Sequence, residues 1–156
     1  MIRPKRVGHL VLNVGDLEAA TKFYTEILGF QVALRMEQPK ATFLTCGKIH
    51  HDLALFKAPK GAVPVTPGGL GLNHFAVQVE DLDELKEVYR TLKENGVPVE
   101  RTVDHNVTAS LYLHDPEGNR IEFFCNKTAT AEEGLEMMFT NQVRNTELVL
   151  EDVLAD

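Results

Sequence analysis

The chain has 156 residues, 44% of them hydrophobic and 25% charged, an ordinary globular composition that excludes a disordered chain. Lys and Arg number 16 against 23 Asp and Glu, for a formal net charge of −7; so acidic a surface repels phosphate backbones, which excludes nucleic acid as an expected partner. No apolar run reaches the ~18 residues that a membrane span needs, and the basic start Met1-Ile2-Arg3-Pro4-Lys5-Arg6 is not followed by the apolar core of a secretion leader. Cys46 and Cys125 form no CxxC pair, so reduced, inert, buried thiols and a cytoplasmic protein are expected.

In chain order, the first element predicted is a strand. His9-Leu10-Val11-Leu12-Asn13-Val14 alternates apolar and polar residues and runs into Asp16, a helix-capping type. A helix over 16–28 follows, its apolar stripe formed by Leu17, Ala20, Phe23, Tyr24, Ile27 and Leu28, with Gly29 as the stop. Three short apolar stretches come next, over 30–35, 41–46 and 52–56. The Gly- and Pro-rich segment 57–72 is a linker. Its run Thr66-Pro67-Gly68-Gly69-Leu70-Gly71 lacks the Lys-Ser/Thr of a P-loop.

The pattern then repeats. His74-Phe75-Ala76-Val77-Gln78-Val79-Glu80-Asp81-Leu82 matches residues 9–17 at an offset of 65. A second helix is predicted over 81–94, with the stripe Leu82, Leu85, Val88, Tyr89 and Leu92 and the stop Asn95-Gly96. Strands over 97–103, 109–113 and 120–125 follow, the last two joined by the turn Asp115-Pro116-Glu117-Gly118-Asn119. The order βαβββ thus occurs twice. The expected fold is α+β: two tandem modules, about residues 7–57 and 72–125, related by pseudo-two-fold symmetry and forming a cupped mixed sheet within one domain, 1–125. The tail 126–156 is expected to be partly helical, over 132–139 and 147–154, and to pack on the domain or on a partner subunit.

His9 and His74 occupy the same place in the two repeats, and equal parity puts them on the same face of their strands. Glu122 lies in the last strand between Ile121 and Phe123, where an uncompensated carboxylate costs several kcal/mol to bury. A cation would compensate it. Two imidazoles and a carboxylate form a ligand set with open positions, the kind that serves Fe(II) in non-haem oxygenases; the same donors accept Mn, Ni, Zn or Co.

The repeat with His9, His74 and Glu122, and the stretch Tyr112-Leu113-His114-Asp115-Pro116-Glu117-Gly118-Asn119-Arg120-Ile121-Glu122, resemble the vicinal oxygen chelate superfamily. That family includes glyoxalase I, extradiol ring-cleaving dioxygenases, methylmalonyl-CoA epimerase and antibiotic-resistance proteins. The resemblance covers about residues 7–125 and implies a metal held by His9, His74 and Glu122. Glyoxalase I and the epimerases add a fourth ligand, usually Glu, from the last strand of the first module. Here residues 44–73 contain no Glu. Ile49-His50-His51-Asp52-Leu53-Ala54 is instead similar to a segment of extradiol dioxygenases, which implies an acid/base role for His51. The family's Tyr ten residues before the ligand Glu corresponds to Tyr112, and a His shortly before that Tyr to His105, as a substrate-binding group. His50 and His114 are expected outside the site.

The resemblance therefore implies an Fe(II) extradiol dioxygenase acting with O2 on a small aromatic diol, and a homodimer, as is common among members of this length. The alternatives are a glyoxalase- or epimerase-like enzyme using Ni, Zn or Co, and a small-molecule-binding resistance protein. Fold alone does not choose among them. Aligning Gly47 with Gly118 also sets His51 opposite Glu122, which leaves a fourth-ligand role open for it.

Overall fold

A computed structural model describes residues 1–64, 66 and 68–150. The chain divides into two compact units, Met1–Val65 and Thr66–Asp156, and each carries one βαβββ repeat. The α+β class, the tandem modules and the helix of the tail are those the sequence predicts. None of the described helices is long and apolar enough to cross a membrane.

In the first unit, β1 (Leu10–Val14) leads to α1 (Leu17–Lys22). Asp16 caps that helix by accepting a hydrogen bond from the Ala19 amide at 3.0 Å. The predicted helix does not stay α-helical to residue 28. It widens into a π-helical turn, Phe23–Ile27, in which the Leu28 amide reaches back to the Phe23 carbonyl at 3.2 Å. Gly29, at φ +78, then reverses the chain. Strands β2 (Gln31–Glu37), β3 (Lys40–Thr45) and β4 (Leu53–Lys57) complete a sheet in the order β1-β4-β3-β2, with β1 parallel to β4. The helix covers β3 and β4, burying Ala20, Phe23 and Tyr24 with Leu44, Leu53 and Leu55.

The second unit repeats this order in β5 (Phe75–Gln78), α2 (Leu82–Glu94), β6 (Val99–Asp104), β7 (Thr108–His114) and β8 (Arg120–Asn126). Asp81 caps α2 by accepting from the Asp83 and Glu84 amides, both at 3.0 Å, while the Glu84 carboxylate reaches back to the Glu80 amide at 2.8 Å. Leu85, Tyr89 and Leu92 are buried, whereas the predicted stripe residue Leu82 is exposed. The β7–β8 turn is built on Asp115, whose carboxylate accepts from the Glu117 and Asn119 amides at 2.9 and 2.8 Å.

Helix α3 (Ala131–Phe139) confirms the first tail helix. The second, expected over 147–154, is corrected in its described part. Thr146–Glu147 form a short strand, β9, paired antiparallel with β6, and 148–150 are irregular; the rest lies outside the described residues. A free sheet edge supplies a row of unpaired backbone groups, and the tail satisfies them better as a strand than as a short helix. The second sheet is therefore β5-β8-β7-β6-β9.

Asp104, at the end of β6, is ion-paired with Lys127 just beyond β8. The Lys127 hydrogen bond holds the Asp104 carboxyl below the ordinary carboxylate range, and the Asn106 amide adds to it. Because the folded value is depressed, the pair stabilises the unit above the unfolded carboxyl pKa near ~4, and that contribution is lost as pH falls through the folded value. Asp104→Asn should therefore lower Tm at neutral pH and flatten the acid limb of the Tm–pH profile below about pH 4. An unchanged acid limb in a thermal-melt series would refute this assignment.

Candidate metal and substrate site

The registers decide which side chains share a row across each sheet. In the second unit, Arg101 of β6 faces Tyr112 of β7, Tyr112 faces Glu122 of β8, and Glu122 faces Ala76 of β5. His74 lies two residues before Ala76 and so takes the same face. These positions bring His74, Glu122, Tyr112 and His105 together.

Glu122 is 9% exposed, and its Oε2 is 3.0 Å from His74 Nε2. Its other neighbour is Tyr112, directly opposite it in β7. Burial pushes the Tyr112 phenol above its ordinary value; the nearby Glu122 carboxylate pushes the same way, while Arg101 and Arg120 oppose them. The guanidinium carbons of Arg101 and Arg120 lie 4.7 and 4.5 Å from the Tyr112 ring centroid. His105 Nε2 is 2.9 Å from the Tyr112 hydroxyl. The predicted His74, Glu122, Tyr112 and His105 are thus one connected polar cluster.

Two residues that sequence reasoning missed support His74. Asn73 Oδ1 is 2.7 Å from His74 Nδ1 and 3.3 Å from Arg120 Nη1, so one carbonyl oxygen accepts from both. Arg120 is itself held by Glu100 through two hydrogen bonds of 2.7 Å. With its Nδ1 proton on Asn73, His74 turns Nε2 to the Glu122 carboxylate, a contact that a proton or a cation makes favourable; this is the arrangement of a ligand imidazole. Arg120 was within reach of sequence reasoning, since it shares parity with Glu122. Asn73 carried no such signal. His114 is exposed and stands 3.7 Å from Glu100, outside the cluster as expected.

In the first unit, His9 precedes β1 and His51 precedes β4, and the parallel pairing of those strands puts the two rings side by side at 4.4 Å between centroids. Phe43 of β3 meets His51 edge-on at 5.1 Å. His50 was expected to turn away by strand parity, but its ring is 4.4 Å from that of His51. Residues 47–50 form a bend, so alternation does not apply to them. Burial, followed by the charges of His50 and His9, lowers the His51 pKa, which favours the neutral ring.

The same registers compare the repeats. Leu10 pairs with Leu53 and Val11 with Ala54, as Phe75 pairs with Ile121 and Ala76 with Glu122. Ala54, fully buried, is therefore the counterpart of Glu122, and His51 lies outside that strand. Its alignment opposite Glu122, drawn from the turn glycines, is not the one the strands adopt. Phe43, which pairs with Ala54, is likewise the counterpart of Tyr112. The row Leu34–Phe43–Ala54–Val11 is apolar where Arg101–Tyr112–Glu122–Ala76 is polar. Taken within each unit, no three His, Cys, Asp or Glu side chains among the described residues converge on one metal position.

Residues 6–123 match the model of the Glyoxalase/Bleomycin resistance protein/Dioxygenase superfamily, and the chain belongs to that family. Within it, the chain is 39% identical over 134 residues to biphenyl-2,3-diol 1,2-dioxygenase 3 of Rhodococcus globerulus, covering 85% of this chain and 70% of that protein. It is 29% identical over 135 residues to an iron-dependent extradiol dioxygenase of Rhodococcus jostii, covering 76% of this chain and 42% of the relative. Among solved structures, lactoylglutathione lyase of Agrobacterium tumefaciens superposes with a TM-score of 0.60 at 27% identity, over 78% of this chain and 94% of the other.

Cys46, beside this region, is exposed rather than buried, unlike Cys125. Local burial, then the Asp52 charge and hydrogen bond, pushes its thiol up to about 11. At pH 8 its thiolate fraction is about a hundredfold below that of a free cysteine, so alkylation by iodoacetamide should be slower by a comparable factor. Asp52→Asn should speed it. A Cys46 that reacts as fast as free cysteine, measured by mass spectrometry, would contradict the assignment.

Proposed function

We propose that the protein is an Fe(II)-dependent extradiol dioxygenase that opens the ring of a catechol-type diol with O2. The observation that carries this reading is the coupling of His74 and Glu122, a ligand-type pair 3.0 Å apart, to Tyr112 and His105, two groups suited to holding a substrate hydroxyl. The dioxygenase relatives support it. So does Ala54, which stands where a fourth carboxylate ligand of the lyase branch would belong.

The residues fit a metal. Glu122 is a buried carboxylate whose charge a cation would offset, and Asn73 holds His74 with Nε2 turned to that carboxylate. We assign His74 and Glu122 as ligands, with His9 as the third by its equivalence to His74 in the repeat. Bound there, Fe(II) would supply open coordination positions and redox chemistry for the diol and O2. A diol binds only after losing at least one proton. His51, neutral and beside His9, takes that proton and returns one later. Tyr112 and His105 orient the substrate hydroxyl. The apolar row Leu34–Phe43–Ala54–Val11 supplies the kind of surface an aromatic ring packs against.

Protein purified without added metal and without oxygen should contain near-stoichiometric iron. Admitting air should then give a coloured ring-opened product from 2,3-dihydroxybiphenyl or another catechol. His74→Ala and Glu122→Ala should lose the iron. His51→Phe should keep it and lower turnover by about 10²- to 10⁴-fold. Iron-loaded protein that opens no catechol would refute the reaction. Nickel, zinc or cobalt with turnover of a methylglyoxal–glutathione hemithioacetal would establish the lyase in its place.

A further inference from the structure

The C-terminal segment is the part of the chain that the reading above leaves without a role. It is firmly placed on the second unit. Beyond the β6–β9 pairing, the Arg144 amide donates to the His105 carbonyl at 3.3 Å, Asn106 Nδ2 to the Gln142 carbonyl at 2.8 Å, and Thr102 Oγ1 to the Leu148 carbonyl at 2.6 Å. Leu150 is buried at the end of the segment. These contacts surround the β6–β7 turn, which carries His105. A cleft runs along the seam, with Arg101, His105, Asn145 and Glu147 on its walls.

Asn145 lies within this anchored stretch, and its Oδ1 is 2.6 Å from His105 Nδ1. A carbonyl oxygen can only accept, so Nδ1 must carry the proton. In a neutral ring Nε2 is then a bare acceptor, and it faces the Tyr112 hydroxyl at 2.9 Å. We propose that Asn145 is a positioning residue: from the tail, it fixes the orientation of His105 and its tautomer, with the proton on Nδ1 and the lone pair on Nε2. Combined with the dioxygenase reading, on which this part rests, the consequence is that His105 accepts the Tyr112 proton, so that the phenol oxygen meets the substrate hydroxyl as an acceptor. An imidazole with its proton on Nε2 would present a donor to the phenol instead. The tail thereby contributes to the site through His105 without touching substrate.

The test is ¹⁵N NMR of histidine-labelled full-length protein, metal-free and zinc-supplemented, at about pH 8.5, where imidazoles are neutral. The His105 ring is assigned by the loss of its signals in His105→Gln. The wild type should show a pyrrole-type Nδ1 and a pyridine-type Nε2. Asn145→Ala should shift the population toward the Nε2–H tautomer, and Asn145→Asp, which keeps an acceptor, should restore it. With iron-loaded enzyme, Asn145→Ala should raise KM for the diol about 3- to 10-fold, with a smaller change in kcat and the same metal content. A pyridine-type Nδ1 in the wild type, or identical ring shifts in wild type and Asn145→Ala, would overturn the proposal. The tautomer is read without turnover. Failure to cleave any catechol therefore removes the dioxygenase reading and leaves the role of Asn145 standing, whereas a wrong tautomer removes the role of Asn145 alone.

Discussion

A carboxylate sits where the sheet would otherwise place an apolar side chain, and much of the second unit is arranged around it. Glu122 is flanked in β8 by Ile121 and Phe123, both buried against the helix side, while its own side chain enters the opposite face. A buried carboxylate is tolerated only with partners. The parallel neighbour β5 delivers His74 at its start, and the antiparallel neighbour β7 delivers Tyr112 directly opposite. Each partner has its own support, His74 from Asn73 and Tyr112 from His105. The two arginines over the Tyr112 ring add positive charge beside the acid. Removing the carboxylate would leave this set of donors and cations without the group they serve.

The two repeats show how one backbone plan carries two different duties. Their strand orders coincide, β1-β4-β3-β2 and β5-β8-β7-β6, and so do the histidines that precede their first strands. Across the middle of each sheet the chemistry diverges. The first unit keeps an apolar row and gathers its polar groups in the bend before β4, where His50 and His51 lie near His9. The second unit places its polar groups in the row itself. Strand position is thus shared by the halves while the polar side chains move to different parts of the scaffold.

Most elements were legible because their causes are local. Period-two alternation marked the strands, Asp16 and Asp81 marked the helix starts, and Asp115 with Gly118 marked the β7–β8 turn. The candidate residues His74, Glu122, Tyr112 and His105 are singled out by the repeat and the family resemblance, and the registers bring them together. What escaped depends on non-local partners. Nothing near Phe23–Ile27 announces a π-helical turn. A helix was expected over 147–154, yet backbone pairing with β6 governs the start of that stretch. Parity failed at His50 because it presumes a strand where the chain bends. Asn73 and Asn145 are ordinary loop residues until the fold sets them against imidazole nitrogens.

The tail also shows how a structural need can prepare a functional one. Without β9, β6 would end the second sheet with an open row of amides and carbonyls, an invitation to pair with another chain. Two residues of strand, Thr146 and Glu147, close part of that edge. The closure requires the chain to approach along the β6–β7 turn, since β9 pairs with Val103 and Asp104 immediately before His105. Residues 142–145 must then pass beside that histidine, and the Gln142 carbonyl, the Arg144 amide and the Asn145 side chain all bond to residues 105 and 106. An edge-capping strand at this register thus places a polar side chain within reach of Nδ1, and an asparagine there turns protection of the sheet into control of the imidazole that faces Tyr112.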